Sequence, residues 1–235
     1  MSKLSVDRSQ LDAALLSFVA AFVDTCGFVG LYGLFTAHVT GNFVLMGAEL
    51  IHHQGELLGK LLSFPVFILA VAATTLAAHA LRRRGKDRLA PALWLQCALL
   101  LVAMALPAWV GTPTGAGQTS ALWIGVVLVA AMGIQNALMR LELASLPPTT
   151  VMTGNVTQVT IDLMTRWRDD AIADGQPDER KAAGARLRKM WLPLLTFLLG
   201  AAGGAAGYGV VGFWCLAVPA VVCGWLACRL RSAPA

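Results

Sequence analysis

The stretch TAHVTGNFVLMGAEL, residues 36–50, has a second version in TTVMTGNVTQVTIDL, residues 149–163. Both read T-x-x-x-T-G-N, and both close on a carboxylate set among apolar residues, Glu49 in the first and Asp162 in the second. The copies stand 113 residues apart in a chain of 235, so each falls at a similar place in its own half. A motif repeated at that spacing predicts a duplicated fold. The register pairs Thr36 with Thr149, Thr40 with Thr153, Gly41 with Gly154 and Asn42 with Asn155.

The surroundings of the two motifs are apolar. The chain is 57% hydrophobic and 13% charged, with a mean hydropathy of +0.67, whereas a soluble domain carries about 25% charged residues. Leu89–Val110 and Ala121–Met139 contain no charged side chain. About 20 such residues, rising about 1.5 Å each as a helix, cross roughly 30 Å of hydrocarbon. Six segments are long enough: 13–35, 61–81, 89–110, 120–141, 190–208 and 211–228. Lys3 and Arg8 before the first run resemble the start of a signal peptide. The run continues past Asp24 to Phe35 with no clean small-residue cleavage site, which reads as an uncleaved span. The motif segments 39–50 and 151–163 are shorter and reach only about 18–20 Å as helices.

Positive charge decides whether those short segments cross. If they do not, and the N-terminus is cytoplasmic, 17 of the 18 Lys and Arg residues lie inside and only Lys60 lies outside. If both cross, the better orientation gives 12 inside and 6 outside. The excess of basic residues in cytoplasmic loops favours the first arrangement. The expected fold is therefore an all-α polytopic membrane protein with six transmembrane helices and both termini cytoplasmic. Residues 1–235 form one integral membrane domain with repeats over about 11–110 and 120–229. A cytoplasmic loop, 166–189, carries seven basic and five acidic residues. Three spans per half place the halves in opposite orientations, an inverted three-plus-three repeat.

The two short segments would then enter the protein from opposite faces. Each is expected to descend as extended chain, turn at T-G-N and return as a short helix. Threonine is a good helix N-cap, glycine allows close backbone approach, and Pro147 and Pro148 hold the chain extended before the second turn. Non-helical backbone at membrane depth is tolerated where it is buried in protein or lines a wet cavity. If both helices start near the midplane, their N-termini present N–H donors to an anion or polar solute. The competing reading is that Thr, Gly and Asn only let helices pack closely and bond across.

Other polar residues sit in the spans. Asp24 lies near the centre of the first, and the register sets it opposite Asn136 or Ala137, beside Gln135. An ionisable group at that depth marks a functional candidate. His38 has Val151 as its counterpart and could pair with Asp24 or titrate. The pathway candidates are thus Asp24, Thr36, His38, Thr40, Gly41 and Asn42 in the first half. In the second half they are Gln135, Asn136, Thr149, Thr153, Gly154 and Asn155. The spacings Gly200/Gly204 and Gly203/Gly207 predict close helix packing inside the fold. Five cysteines, in or beside apolar runs and without CxxC spacing, read as small buried residues.

No HExxH, GxSxG, P-loop or Cys/His ligand set occurs, so no catalytic residue, metal or cofactor is expected. The basic residues stand in short runs beside the spans, which speaks for membrane topology and against nucleic acid. The expected partners are the lipid bilayer and a small solute or proton, with homo-oligomerisation left open. The short loops leave no room for an ATP-binding domain, so transport would be passive or ion-coupled. The function expected is a transporter or channel for a small polar or anionic solute. The alternative is a non-transporting scaffold or accessory subunit whose TGN motifs serve helix packing.

At GFVGLYGLFTAHVTGN (27–42), and at GIQNAL (133–138) with TTVMTGN (149–155), the chain resembles the YoaK-like family of bacterial integral membrane proteins of unknown function. The resemblance runs from about residue 11 to 229. It implies a polytopic protein of the bacterial inner membrane and supplies no substrate or mechanism.

Overall fold

The computed structural model describes residues 8–52, 57–167 and 177–231, and every regular element among them is helical. In chain order these are α1 (Arg8–Gly30), α2 (Gly41–His52), α3 (Leu57–Arg83), α4 (Leu89–Ala105), the single turn α5 (Pro107–Val110), α6 (Thr119–Leu141), α7 (Thr153–Trp167), α8 (Pro177–Val211) and α9 (Ala217–Arg231). Five stretches are long and apolar enough to cross a membrane: Ser9–Gly30, Leu57–Arg83, Leu89–Val110, Thr119–Leu141 and Asp178–Leu230. The last is 53 residues long and the chain reverses within it. Gly212 takes a left-handed backbone, φ +59°, and opens a 3-10 turn, Gly212–Leu216.

Named contacts give the direction of each helix. α1 and α8 lie side by side and run the same way. Gln10 donates to Arg188 O, Thr196 Oγ1 donates to Ala14 O, and Gly200 and Gly204 face Phe18 and Phe22. A Cβ at Gly200 or Gly204 would run into the carbonyl oxygen of Phe18 or Phe22. The GxxxG spacing therefore does what its sequence predicts: it lets two backbones touch where lipid offers no hydrophobic drive to association. α9 runs the opposite way along α1, with Cys215 against Cys26 at one end and Arg229 against Asp12 at the other.

α3 and α6 repeat the first arrangement. They run in one direction, with Gly59 facing Leu122 and Gly133 facing Phe67 and Ala70. α4 runs against α6, linked by Arg88–Glu142 and Gln96–Gln135. α1 and α6 are themselves antiparallel, since Leu31, just past the end of α1, meets Gly125 and Leu16 meets Gln135. Exchanging the halves turns each packed pair into another: α1–α8 into α6–α3, α2–α3 into α7–α8, and α4–α6 into α9–α1. The pairs α1–α6 and α4–α9 map onto themselves.

Charge is segregated along this bundle. The start of α1, the end of α3, the start of α4, the end of α6, the start of α8 and the end of α9 share one end, where Leu16, Leu93, Leu138 and Leu226 form one cluster. That end carries every basic residue among the described ones except Lys60.

Several expected boundaries move. The first span ends at Gly30, not at 35, because Tyr32 and Gly33 turn left-handed, φ 54° and 87°, and send the chain back. The expected span 89–110 keeps its bounds, with α4 and α5 joined through Leu106 in α-helical geometry ahead of Pro107. Much of the expected loop 166–189 is helix: α7 extends to Trp167 and α8 begins at Pro177, while 168–176 lie outside the described residues. Mixed charge concealed a helical extension that rests on α7.

Candidate functional site

After Gly30 the chain doubles back along α1 until Thr36 and Ala37 reach Asp24. The Asp24 Oδ1 accepts from the backbone N–H of both, at 2.7 Å each, and from Thr36 Oγ1 at 3.3 Å. Its Oδ2 stands 2.7 Å from His38 Nδ1. A carboxylate in an apolar helix is costly unless paired and hydrogen-bonded. Here the turn it anchors supplies both. The His38 ring lies edge-on to Phe35 and to Phe197 of α8 and keeps 28% of its side chain exposed.

Asn42 closes the same turn. Its side chain is fully buried, accepts from Phe35 N at 2.9 Å, and donates to Phe35 O at 2.9 Å and Ser63 Oγ at 3.0 Å. The amide thus satisfies both backbone groups of a residue seven positions back, which a buried irregular turn requires. α2 then returns antiparallel to α3, with Phe43 stacked on Phe64 and Glu49 paired with Lys60 at 3.4 Å.

The second half builds the same object with other parts. Asn155 Nδ2 donates to Pro148 O at 2.8 Å, and Pro148 holds the register position of Phe35. Proline has no N–H, so only half of the clip can form. Among the described residues no aspartate anchors this turn. Gln135 Nε2 donates to Thr149 Oγ1 at 3.2 Å, and Thr150 Oγ1 donates to Asn136 Oδ1 at 2.8 Å. α7 runs back along α8, where Arg186 grips Asp162 through Nη2 at 2.6 Å and Nε at 3.1 Å. The guanidinium holds the Asp162 carboxyl below the usual carboxylate range.

The candidate residues therefore fall into two groups. Asp24, Thr36, His38 and Asn42 meet at the first turn, and Gln135, Asn136, Thr149 and Asn155 meet at the second. Gln135 also donates to Leu16 O at 2.8 Å and accepts from Gln96 at 2.7 Å, all buried. Leu16 and Asp24 are eight residues apart on α1, about 12 Å along its axis. Each turn thus stays at its own level instead of facing the other at one midplane point. Thr40, Thr153 and Gly154 point outward, and Gly41 rests on the Phe35 ring.

The expected anion-presenting helix end is also absent from the first motif. The N–H groups of Gly41, Asn42 and Phe43 are bonded to the carbonyls of His38, Val39 and Thr40. Sequence reasoning missed Gln96, Ser63, Thr150 and the pairs Glu49–Lys60 and Asp162–Arg186. A signal existed for Lys60, the one basic residue that the charge tally placed on the outer side.

Parallel and antiparallel apolar helices with two asparagine-locked, doubled-back segments define a polytopic helical membrane protein. Within that class, the chain belongs to the family described as "Protein of unknown function (DUF1275)", whose model matches residues 13–228. This agrees with the YoaK-like resemblance. No curated protein and no solved structure matches the chain.

Proposed function

We propose that the chain is a small-solute transporter of the bacterial inner membrane, built as an inverted three-plus-three repeat of six crossings with both termini cytoplasmic. The observation that carries this reading is the exchange of helix pairs between antiparallel halves, each with a doubled-back segment at opposite ends of the bundle. In transporters of that design the halves rock about a site between them. Counting the reversal at Gly212 as two crossings gives six, and the clustering of basic residues at one end agrees with cytoplasmic termini. Asp24 and His38 serve as the proton-binding pair. His38 is partly exposed beside Phe197, and Asp24 joins it to the turn through the N–H groups of Thr36 and Ala37.

Reconstituted protein should admit protons under an imposed pH gradient, read by an entrapped pH dye, and Asp24→Asn and His38→Gln should abolish the flux. Equal rates from wild type, both variants and empty vesicles would sink the proposal. Cysteines placed within 53–56 and 168–176 should label from opposite faces, and labelling from one face would remove the inverted arrangement. A non-transporting scaffold is the second reading. It is favoured by Asn42 and Asn155, whose amides are spent on their own turns. Flux absent from wild type as well would select it.

A further inference from the structure

At the basic end of the bundle, the last turn of α7 and the first turns of α8 enclose an open cleft of about 500 Å³ lined by Arg166, Arg180, Lys181 and Arg188. Its walls are placed, not accidental. Arg180 Nη2 donates to Arg166 O at 2.9 Å, which holds the two helix ends together. Gly184 leaves room for the Arg166 guanidinium to lie across α8, since a Cβ there would collide with Arg166 Nη1. Arg186, on the same helix, is already committed to Asp162 and turns away from the cleft. The acids on this stretch of α8 are Asp178, 3.9 Å from Lys181, and Glu179, whose charge acts on Arg186.

Two indoles flank the cationic walls. Trp167, next to Arg166, is 82% exposed, and Trp191, one turn beyond Arg188, is 41% exposed. Tryptophan concentrates where headgroups meet hydrocarbon, and basic pockets between membrane helices on the cytoplasmic side take anionic headgroups. We propose that this cleft binds the phosphate of an anionic phospholipid headgroup, with Arg166 and Arg188 as its principal donors, Trp167 at the headgroup level and Trp191 at the acyl boundary. A planar guanidinium binds phosphate oxygens two at a time. Bulk attraction of a basic surface for an acidic membrane has no such geometry, and the two are separable.

The test is native mass spectrometry of the full chain in detergent with added phosphatidylglycerol. Wild type should retain one lipid, and Arg166→Gln/Arg188→Gln should lower its occupancy at least fivefold. Arg82→Gln/Arg83→Gln removes equal charge from the same end of the bundle and should leave occupancy within twofold. Lys181→Gln, at an exposed position, gives an independent partial loss should the double variant fail to elute as a folded monodisperse species. Phosphatidylcholine should not be retained, and millimolar inorganic phosphate should not displace the bound lipid. Equal loss from both double variants would reduce the effect to diffuse charge and overturn the site. Retention of phosphatidylcholine, or displacement by inorganic phosphate, would overturn the anionic-lipid assignment.

Discussion

The two doubled-back segments share one device and differ in another. In both, an asparagine at the start of a short helix reaches a carbonyl seven residues earlier, Asn42 to Phe35 and Asn155 to Pro148. In both, a carboxylate near the end of that helix pairs with a base on the next, Glu49 with Lys60 and Asp162 with Arg186. What anchors each turn to its long helix is not shared. The first turn hangs on the Asp24 carboxylate and His38, the second on neutral contacts between Gln135 and Thr149 and between Asn136 and Thr150. The asparagine clip is thus the part that the two turns have in common. The charged, titratable anchor belongs to one half alone, which is why the functional proposal is placed there.

The largest way to break this comparison is to remove the charged anchor. Asp24→Ala leaves the N–H groups of Thr36 and Ala37 buried without an acceptor, at about 1–3 kcal/mol each. A loss of about 4 kcal/mol in unfolding free energy, measured by steric trapping or SDS titration in mixed micelles, is the expected outcome. Thr150→Ala, which cuts a neutral anchor of the other turn, should cost about 1 kcal/mol. Equal losses would mean that the carboxylate does no more than an amide does. Next comes Asn42→Ala, which strips both backbone groups of Phe35 and the partner of Ser63. It should cost about 3 kcal/mol in the same assay.

Two turns of one kind were legible from Thr36 to Asn42 and from Thr149 to Asn155, because each is closed by the asparagine that ends its T-G-N triplet. The end at which basic residues gather was also legible, since a charge in hydrocarbon is too costly to be placed freely. The role of Asn42 was not. A bond to a residue seven positions back belongs to no helix or strand period, so nothing in the spacing announces it. The threonines drew attention as N-caps, yet Thr40 and Thr153 face outward and the closing bonds come from the asparagines. The Gln96–Gln135 contact was equally hidden. It joins two helices whose crossing point depends on packing, and a single amide among apolar residues does not name its partner. Charged residues 178–189 read as loop by composition, whereas pairing with α7 through Asp162 and Arg186 draws them into α8.

The smaller predictions sharpen the likeness of the two segments. Asn155→Ala loses one carbonyl partner where Asn42→Ala loses two backbone partners, so about 1 kcal/mol is expected. A cost matching that of Asn42→Ala would show that Pro148 forfeits nothing by lacking an N–H. The smallest effect lies in the ion pair. Because Arg186 depresses the native Asp162 carboxyl, the pair stabilises the fold above the unfolded carboxylate range, about pH 4. That contribution fades as pH falls through the lowered native value, where the carboxylate takes up its proton in the folded state. Wild-type stability should therefore decline below about pH 4 by more than that of Asp162→Asn, which has no proton to take up. The difference is expected to be slight and to shrink further in high salt, since the Arg186 side chain is 47% exposed and water and ions screen it. Parallel acid limbs for the two proteins at low salt would mean that the pair holds α7 to α8 no better than a neutral amide would. The second segment would then owe its position to the turn at Thr149 and Asn155 alone.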